Sequence, residues 1–198
     1  MQARVATTDD LAAVIETITV SFHRDPVWSW AFPDDGRRPA QYTALWGLMI
    51  RGAMRYPWVR VTENCEAAAI WIPPSGSELP AGEEEAFAEL ITELLGPRAE
   101  LVLELLERFE HAQPKHTPHY YLSLLGTHDA HRGKGIGMAL LAENLELIDA
   151  EGMPAYLEST NPANDARYGR VGFEPFGEFS APDGGPTVTT MWREPRRP

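Results

Sequence analysis

One cysteine in 198 residues, Cys65, excludes an internal disulfide and suits a reducing compartment. It lies in Glu63-Asn64-Cys65-Glu66, a polar turn whose carboxylates discourage a thiolate and so argue against a nucleophilic role. No stretch approaches 18 consecutive apolar residues, and Met1-Gln2-Ala3-Arg4-Val5 lacks the apolar core of a leader. The expectation is a soluble, cytoplasmic protein with no membrane partner. Basic residues are scarce: 17 Lys and Arg stand against 29 Asp and Glu, a formal charge of −12 that argues against nucleic acid. The same balance suits steering of a cationic small molecule into an acidic cleft. Glu83-Glu84-Glu85 and the acids of 89–110 are explained more simply by solvated helix faces. No Gly-x-Ser-x-Gly elbow occurs. His116, His119, His128 and His131 lack i, i+4 spacing and cysteine partners, so no metal is expected.

What is present reads as one domain over 1–198, with no internal repeat and no linker. Gln2–Ala6 reads as a short strand. Thr8 can cap a helix whose Leu11, Val14, Ile15, Ile18 and Phe22 recur at helical spacing until Asp25-Pro26. Tyr42, Leu45, Trp46, Met49, Ile50 and Ala53 mark a second helix. Between them Val27-Trp28-Ser29-Trp30-Ala31-Phe32 reads as an aromatic loop. Trp58–Thr62 and Ala67–Ile72 are paired strands, and two amphipathic helices over 83–95 and 97–111 break at Gly96-Pro97. A strand to Leu125, a helix from about Gly135 to Gly152, and a strand over Tyr156–Ser159 follow. A short helix over Ala163–Val171 and strands over Phe173–Phe179 and Val188–Arg193 complete the chain. The order implies an α/β (α+β) fold: a mixed, mostly antiparallel sheet of about seven strands with helices on both faces. A parallel strand–helix–strand unit lies at its centre.

The segment linking that unit is Arg132-Gly133-Lys134-Gly135-Ile136-Gly137. A glycine-rich turn that opens a helix after a strand offers free backbone N–H groups and the positive end of the helix dipole. With Arg132 and Lys134 beside it, the expected guest is a phosphate or pyrophosphate; a plain glycine-softened surface turn is the alternative. The glycine spacing fits neither the dinucleotide fingerprint nor the P-loop, which would need glycine at His128 and Ser or Thr after a Gly-Lys pair.

Arg132, Gly135 and Gly137 do fit Arg-x-x-Gly-x-Gly, which resembles the acyl-coenzyme A pyrophosphate loop of the GNAT superfamily of N-acetyltransferases. Ala155-Tyr156-Leu157-Glu158-Ser159 and Asn161 to Tyr168, Gly172 and Phe173 resemble the second half of that fold, where a strand splays from its predecessor. Residues 119–193 are similar in particular to antibiotic-acetylating members. The resemblance implies acetyl-coenzyme A as cosubstrate and a small-molecule amine as acceptor, an antibiotic or metabolite, with the chain acting as a monomer or homodimer. It implies cofactor contacts from Leu125, Gly126, Thr127, Arg132, Gly133, Lys134, Gly135, Ile136, Gly137 and Asn164. The main-chain donors at 125–127 require the strand to bulge, which Gly126 permits. Thr127-His128-Asp129 stands where many members have Val-x-Pro, a departure that leaves main-chain donors unaffected. Asn164 either meets the pantetheine arm or caps the short helix with Asn161.

An ammonium cannot attack a thioester, so an amine acceptor must lose a proton, and the leaving thiolate must gain one. Glu158 ends a strand just after the cofactor helix, on one face with Tyr156. It is the candidate base; its alternative roles are neutralising a bound cation or capping a helix. Tyr168 is the acid by resemblance, or else an aromatic packed under the sheet. Trp28 and Trp30 are candidate walls of the acceptor pocket, or a plug between two helices. Two other functions stay open: a protein or peptide N-acetyltransferase, and a non-catalytic acyl-coenzyme A sensor.

Overall fold

A computed structural model describes residues 3–196. Seven strands form one sheet in the order β1-β2-β3-β4-β5-β7-β6. They are β1 (Arg4–Val5), β2 (Val59–Val61), β3 (Ala67–Ile72), β4 (Tyr120–Thr127), β5 (Ala155–Ser159), β6 (Glu174–Ser180) and β7 (Thr187–Arg193). Every neighbouring pair is antiparallel except β4 and β5, as expected for a strand–helix–strand unit. The helices are α1 (Leu11–Phe22), α2 (Pro26–Ala31), α3 (Arg38–Ala53), α4 (Glu84–Leu95), α5 (Ala99–Ala112), α6 (Ile136–Ala150) and α7 (Asp165–Arg170).

Three local readings change. The first strand covers only Arg4–Val5, and Gln2 lies outside the described residues. The cap before α1 belongs to Thr7 rather than Thr8: the Asp10 carboxylate accepts from the Thr7 amide and hydroxyl at 2.8 and 2.9 Å and closes a short 3₁₀ turn. The aromatic segment 27–32 is mostly helix α2 instead of loop. Asp25 caps it, accepting from the Val27 and Trp28 amides, and Pro26 occupies the first turn, where its missing N–H costs nothing.

The sheet divides the core in two. Val14, Ile18, Trp46, Ile50, Ala68 and Ile70 belong to a cluster on the face carrying α1 and α3. Ala67, Ala69, Trp71, Leu141, Leu145 and Leu157 belong to the cluster on the α6 face. Alternation in β3 sends its side chains both ways, and all six are buried, as a strand sandwiched between helices requires. The Trp71 indole donates to Asn144 Oδ1 at 3.0 Å, both residues fully buried, so α6 is tied to β3 by a polar contact within an apolar layer.

Two irregularities in β4 shape the molecule. It pairs with β5 over only three residues, Tyr120–Leu122 with Ala155–Leu157, and then leaves it. On its other side Leu122 pairs with Trp71 and Leu124 with Ile70, so Ser123 is an extra residue, a β-bulge. The bulge flips the side-chain phase: Leu122 packs in the α6-side cluster, Leu124 in the α1/α3-side cluster. Gly126, expected to permit the bulge, is in register opposite Ala68. Its missing side chain serves a different purpose, since a Cβ there would collide with Ser21 Oγ and with Ile18 Cδ1, 2.9 Å away.

Candidate acyl-transfer site

The gap left between β4 and β5 opens into a cleft of about 1640 Å³. At one end lies the glycine-rich turn. Gly133 and Gly135 have φ of 78° and 75°, left-handed values that strain any other residue. Gly135 is the N-cap of α6 and supplies no side-chain acceptor. The first helical bond runs from Ala139 N to Gly135 O, 2.9 Å, which leaves the amides of 136–138 without intrahelical acceptors. They point out of the N-terminus of a 15-residue helix and can receive an anion. Gly137 lets this terminus sit against the end of β4, where a Cβ would strike Thr127 Oγ1.

The cationic side chains of the turn behave differently. The Arg132 guanidinium lines the cleft, pairs with Asp129 at 2.7 Å and donates to the Ser21 carbonyl, bracing the turn against the end of α1. Lys134 is exposed and outside the cleft lining. Leu125, Gly126, Thr127, Gly133, Gly135, Ile136, Gly137 and Asn164 all line the cleft. Asn164 makes no cap; its Oδ1 accepts from Arg167 at 2.8 Å, and Asn161 is the residue that caps the preceding turn.

Glu158 and Tyr168 both face this cleft. Glu158 is half-buried, and its Oε1 is shut off from solvent with no hydrogen-bond partner. Burial pushes its pKa up to about 8; the Tyr121 and Tyr156 hydroxyls pull it down, and the Glu78 charge pushes it up. A carboxyl so placed can accept a proton near neutral pH. Tyr168 extends from α7, with its ring against Phe173 at 6.1 Å within the α6-side core. Burial raises its phenol pKa, the Asp25 and Asp165 charges raise it further, and Arg167 opposes them. It is a packed aromatic with a hydroxyl that stays protonated, able to donate.

Of the two tryptophans expected at the acceptor wall, Trp28 lines the cleft, and its ring packs against Trp46 at 4.7 Å and Phe109 at 6.0 Å. Trp30 is not part of the lining. It turns away to stack under Arg98 at 5.0 Å and against Gly185, because successive helical positions in α2 point about 100° apart.

Two carboxyls that the sequence reading passed over complete the site. Asp25 is buried and accepts from Thr160 Oγ1 at 2.7 Å, joining the α1–α2 corner to the end of β5 beside Tyr168. Its signal was legible, since Asp-Pro at a helix start is a capping pattern. Glu78 comes from the segment after β3, lines the cleft and accepts a hydrogen bond from Ser123 on the bulge. Burial raises its pKa, and the Ser123 hydroxyl offsets part of the rise. No local pattern marks it. Among the described residues no group of three or more His, Cys, Asp or Glu could hold a metal ion, and no helix is long and apolar enough to cross a membrane.

Residues 102–173, from α5 through α7, match the family model of the acetyltransferase (GNAT) family. Solved structures extend the likeness over the whole chain. A protein from Corynebacterium glutamicum described as histone acetyltransferase HPA2 and related acetyltransferase is 25% identical, with a TM-score of 0.65 over 100% of this chain and 97% of its own. Arylalkylamine N-acetyltransferase 2 from Aedes aegypti shares 14% identity at a TM-score of 0.68, covering 98% of this chain and 99% of its own. Polyamine N-acetyltransferase of Drosophila melanogaster shares 16% at 0.61, with coverage of 98% and 99%. The fold is that of the GNAT acetyltransferases, and the family model falls on the segment from α5 to α7 within it.

Proposed function

We propose that the protein is a cytoplasmic, single-domain N-acetyltransferase that moves an acetyl group from acetyl-coenzyme A to a small, cationic amine. The observation that carries this reading is the three-residue pairing of β4 with β5. It leaves one continuous cleft with an anion-receiving turn at one end and two proton-handling side chains, Glu158 and Tyr168, on its walls. In this reading the amides at the start of α6 hold the pyrophosphate, and main-chain N–H groups at 125–127 receive the oxyanion of the tetrahedral intermediate. Glu158 takes a proton from the acceptor ammonium, and the free amine attacks the thioester carbonyl. Tyr168, which keeps its proton at neutral pH, then donates it to the departing thiolate.

Fold neighbours named for agmatine, arylalkylamine and polyamine acetylation support a small amine as acceptor. An antibiotic or metabolite amine within that class is part of the proposal. Release of free thiol from acetyl-coenzyme A across a library of primary amines tests the proposal. Turnover with at least one cationic amine is expected, and Glu158→Gln should lower it by about 10²–10⁴. Binding of acetyl-coenzyme A without thiol release for any amine would mark a sensor instead, and turnover confined to peptides would mark a protein acetyltransferase.

A further inference from the structure

Glu78 and Glu158 face one cleft from different elements, and the Tyr121 phenol feels both charges. Among the described residues neither carboxylate has a Lys or Arg partner. Glu78 accepts only from Ser123, and Glu158 Oε1 has no hydrogen-bond partner. Beside Glu158 stand the hydroxyls of Tyr121 and of the fully buried Tyr156, close enough to the carboxylate to lower its pKa. Groups this buried normally find partners within the protein. Both carboxylates line one cleft with only hydroxyls beside them, and neither has a donor that carries more than one N–H.

Glu78 is also held firmly. Arg55 bridges the segment that carries it to α3, donating to the Leu79 carbonyl at 2.9 Å, to Ser77 Oγ at 2.8 Å, and to the carbonyls of Ser77 and Gly52. Gly52 admits the segment against α3, since a Cβ there would strike the Glu78 carbonyl. The Ser123 bulge supplies the last contact.

We propose that Glu78 is a second acceptor-binding carboxylate, and that the acceptor's ammonium is held between Glu78 and Glu158. This rests on the transferase reading and narrows its substrate class to amines that arrive protonated. The ammonium donates one N–H to each carboxylate. Its proton then passes to Glu158, so an N–H bond breaks, an O–H bond forms, and the neutral amine stays hydrogen-bonded to Glu78. In the empty site burial and the Glu78 charge keep the proton on Glu158 near neutral pH, and a cation entering displaces it. The titratable groups facing Glu158 are Glu78, Tyr121 from β4 and Tyr156 from β5; β7 presents Thr190 opposite it. Elsewhere on the cleft wall Lys115 pairs with Glu110 at 3.8 Å, and Glu84, Glu107, His116 and His119 belong to the same lining.

The test is calorimetric titration of phenethylamine and agmatine into the full chain, with phenethyl alcohol as the neutral control, in buffers of different ionisation heat at pH 7. Amine binding should release up to one proton, and the alcohol should release none. Glu78→Gln keeps an acceptor for Ser123 but removes the charge. It should weaken amine binding about ten- to a hundredfold, leave acetyl-coenzyme A affinity and melting temperature in place, and move the acidic limb of kcat/KM to lower pH. The loss should fall on KM for the amine more than on kcat. Amine binding without proton release, or an unmoved limb in Glu78→Gln, overturns the proposal while leaving acetyl transfer intact. Proton-coupled amine binding without any thiol release would uphold the paired carboxylates and overturn the transferase reading.

Discussion

Tyr168 combines two roles that a mutation can separate. Its ring packs on Phe173, and its hydroxyl faces the cleft with a raised pKa. Tyr168→Phe keeps the ring and deletes the proton donor, so kcat should fall by about 10²–10⁴ while acetyl-coenzyme A affinity and melting temperature hold. Steady-state kinetics with calorimetry checks this, and near-normal turnover would remove Tyr168 from the mechanism. The nearby Asp25 charge helps to raise the Tyr168 pKa, and Asp25 is held by Thr160, a link between residues 135 positions apart that the chain does not announce.

Among the elements, the turn from 132 to 137 and helix α6 give the sharpest expectation. Gly135 has φ of 75° and faces open space in the protein. A side chain there meets backbone strain and then any ligand laid on the helix terminus. Gly135→Asp should raise the KM or Kd for acetyl-coenzyme A at least tenfold and lower stability by about 1–2 kcal/mol. Calorimetric affinity equal to that of the wild type would remove the turn from cofactor binding.

The same scale shows how much was legible. The order of elements along the chain, the parallel pair, the two helices broken at Gly96-Pro97 and the glycine-rich turn before α6 follow from periodicity and punctuation, which are local. The Ser123 bulge does not. Tyr120 to Thr127 alternates in burial throughout, so nothing in the pattern says that Leu122 and Leu124 pack on opposite faces. α2 was hidden because a six-residue helix is too short to show a period, although its Asp-Pro cap was visible. Trp30 followed from that error: on a loop it could face the pocket, on a helix it cannot share the direction of Trp28. Glu78 depends on Arg55 and Ser123, 23 and 45 positions away, and no window of sequence holds all three.

For the whole molecule, the carboxyls pull stability in two directions. Asp10 beside Arg4, Glu66 hydrogen-bonded by Thr62, and Asp149 beside Arg193 are held below the ordinary carboxylate range. Each stabilises the fold above that range and ceases to do so as pH falls through its lowered pKa. Glu158 has the opposite sign. Its pKa near 8 means that the folded chain holds the proton more firmly than the unfolded one, so stability declines as pH rises from the ordinary range toward 8. Glu158→Gln should therefore melt higher than the wild type at pH 9 and alike at pH 4. Scanning calorimetry reads the difference, with about 2–4 °C expected for each kcal/mol relieved. Equal melting temperatures at pH 9 would show that the carboxyl ionises there without cost.

The three rungs between β4 and β5 have one more consequence. Within the sheet they are the only strand pairing between β1 to β4 and β5 to β7 among the described residues. A seam so short is where the sheet should breathe first. A ligand bonded to both edges of the gap would stand in for the missing rungs, and its binding would add to the stability of the sheet at its shortest seam.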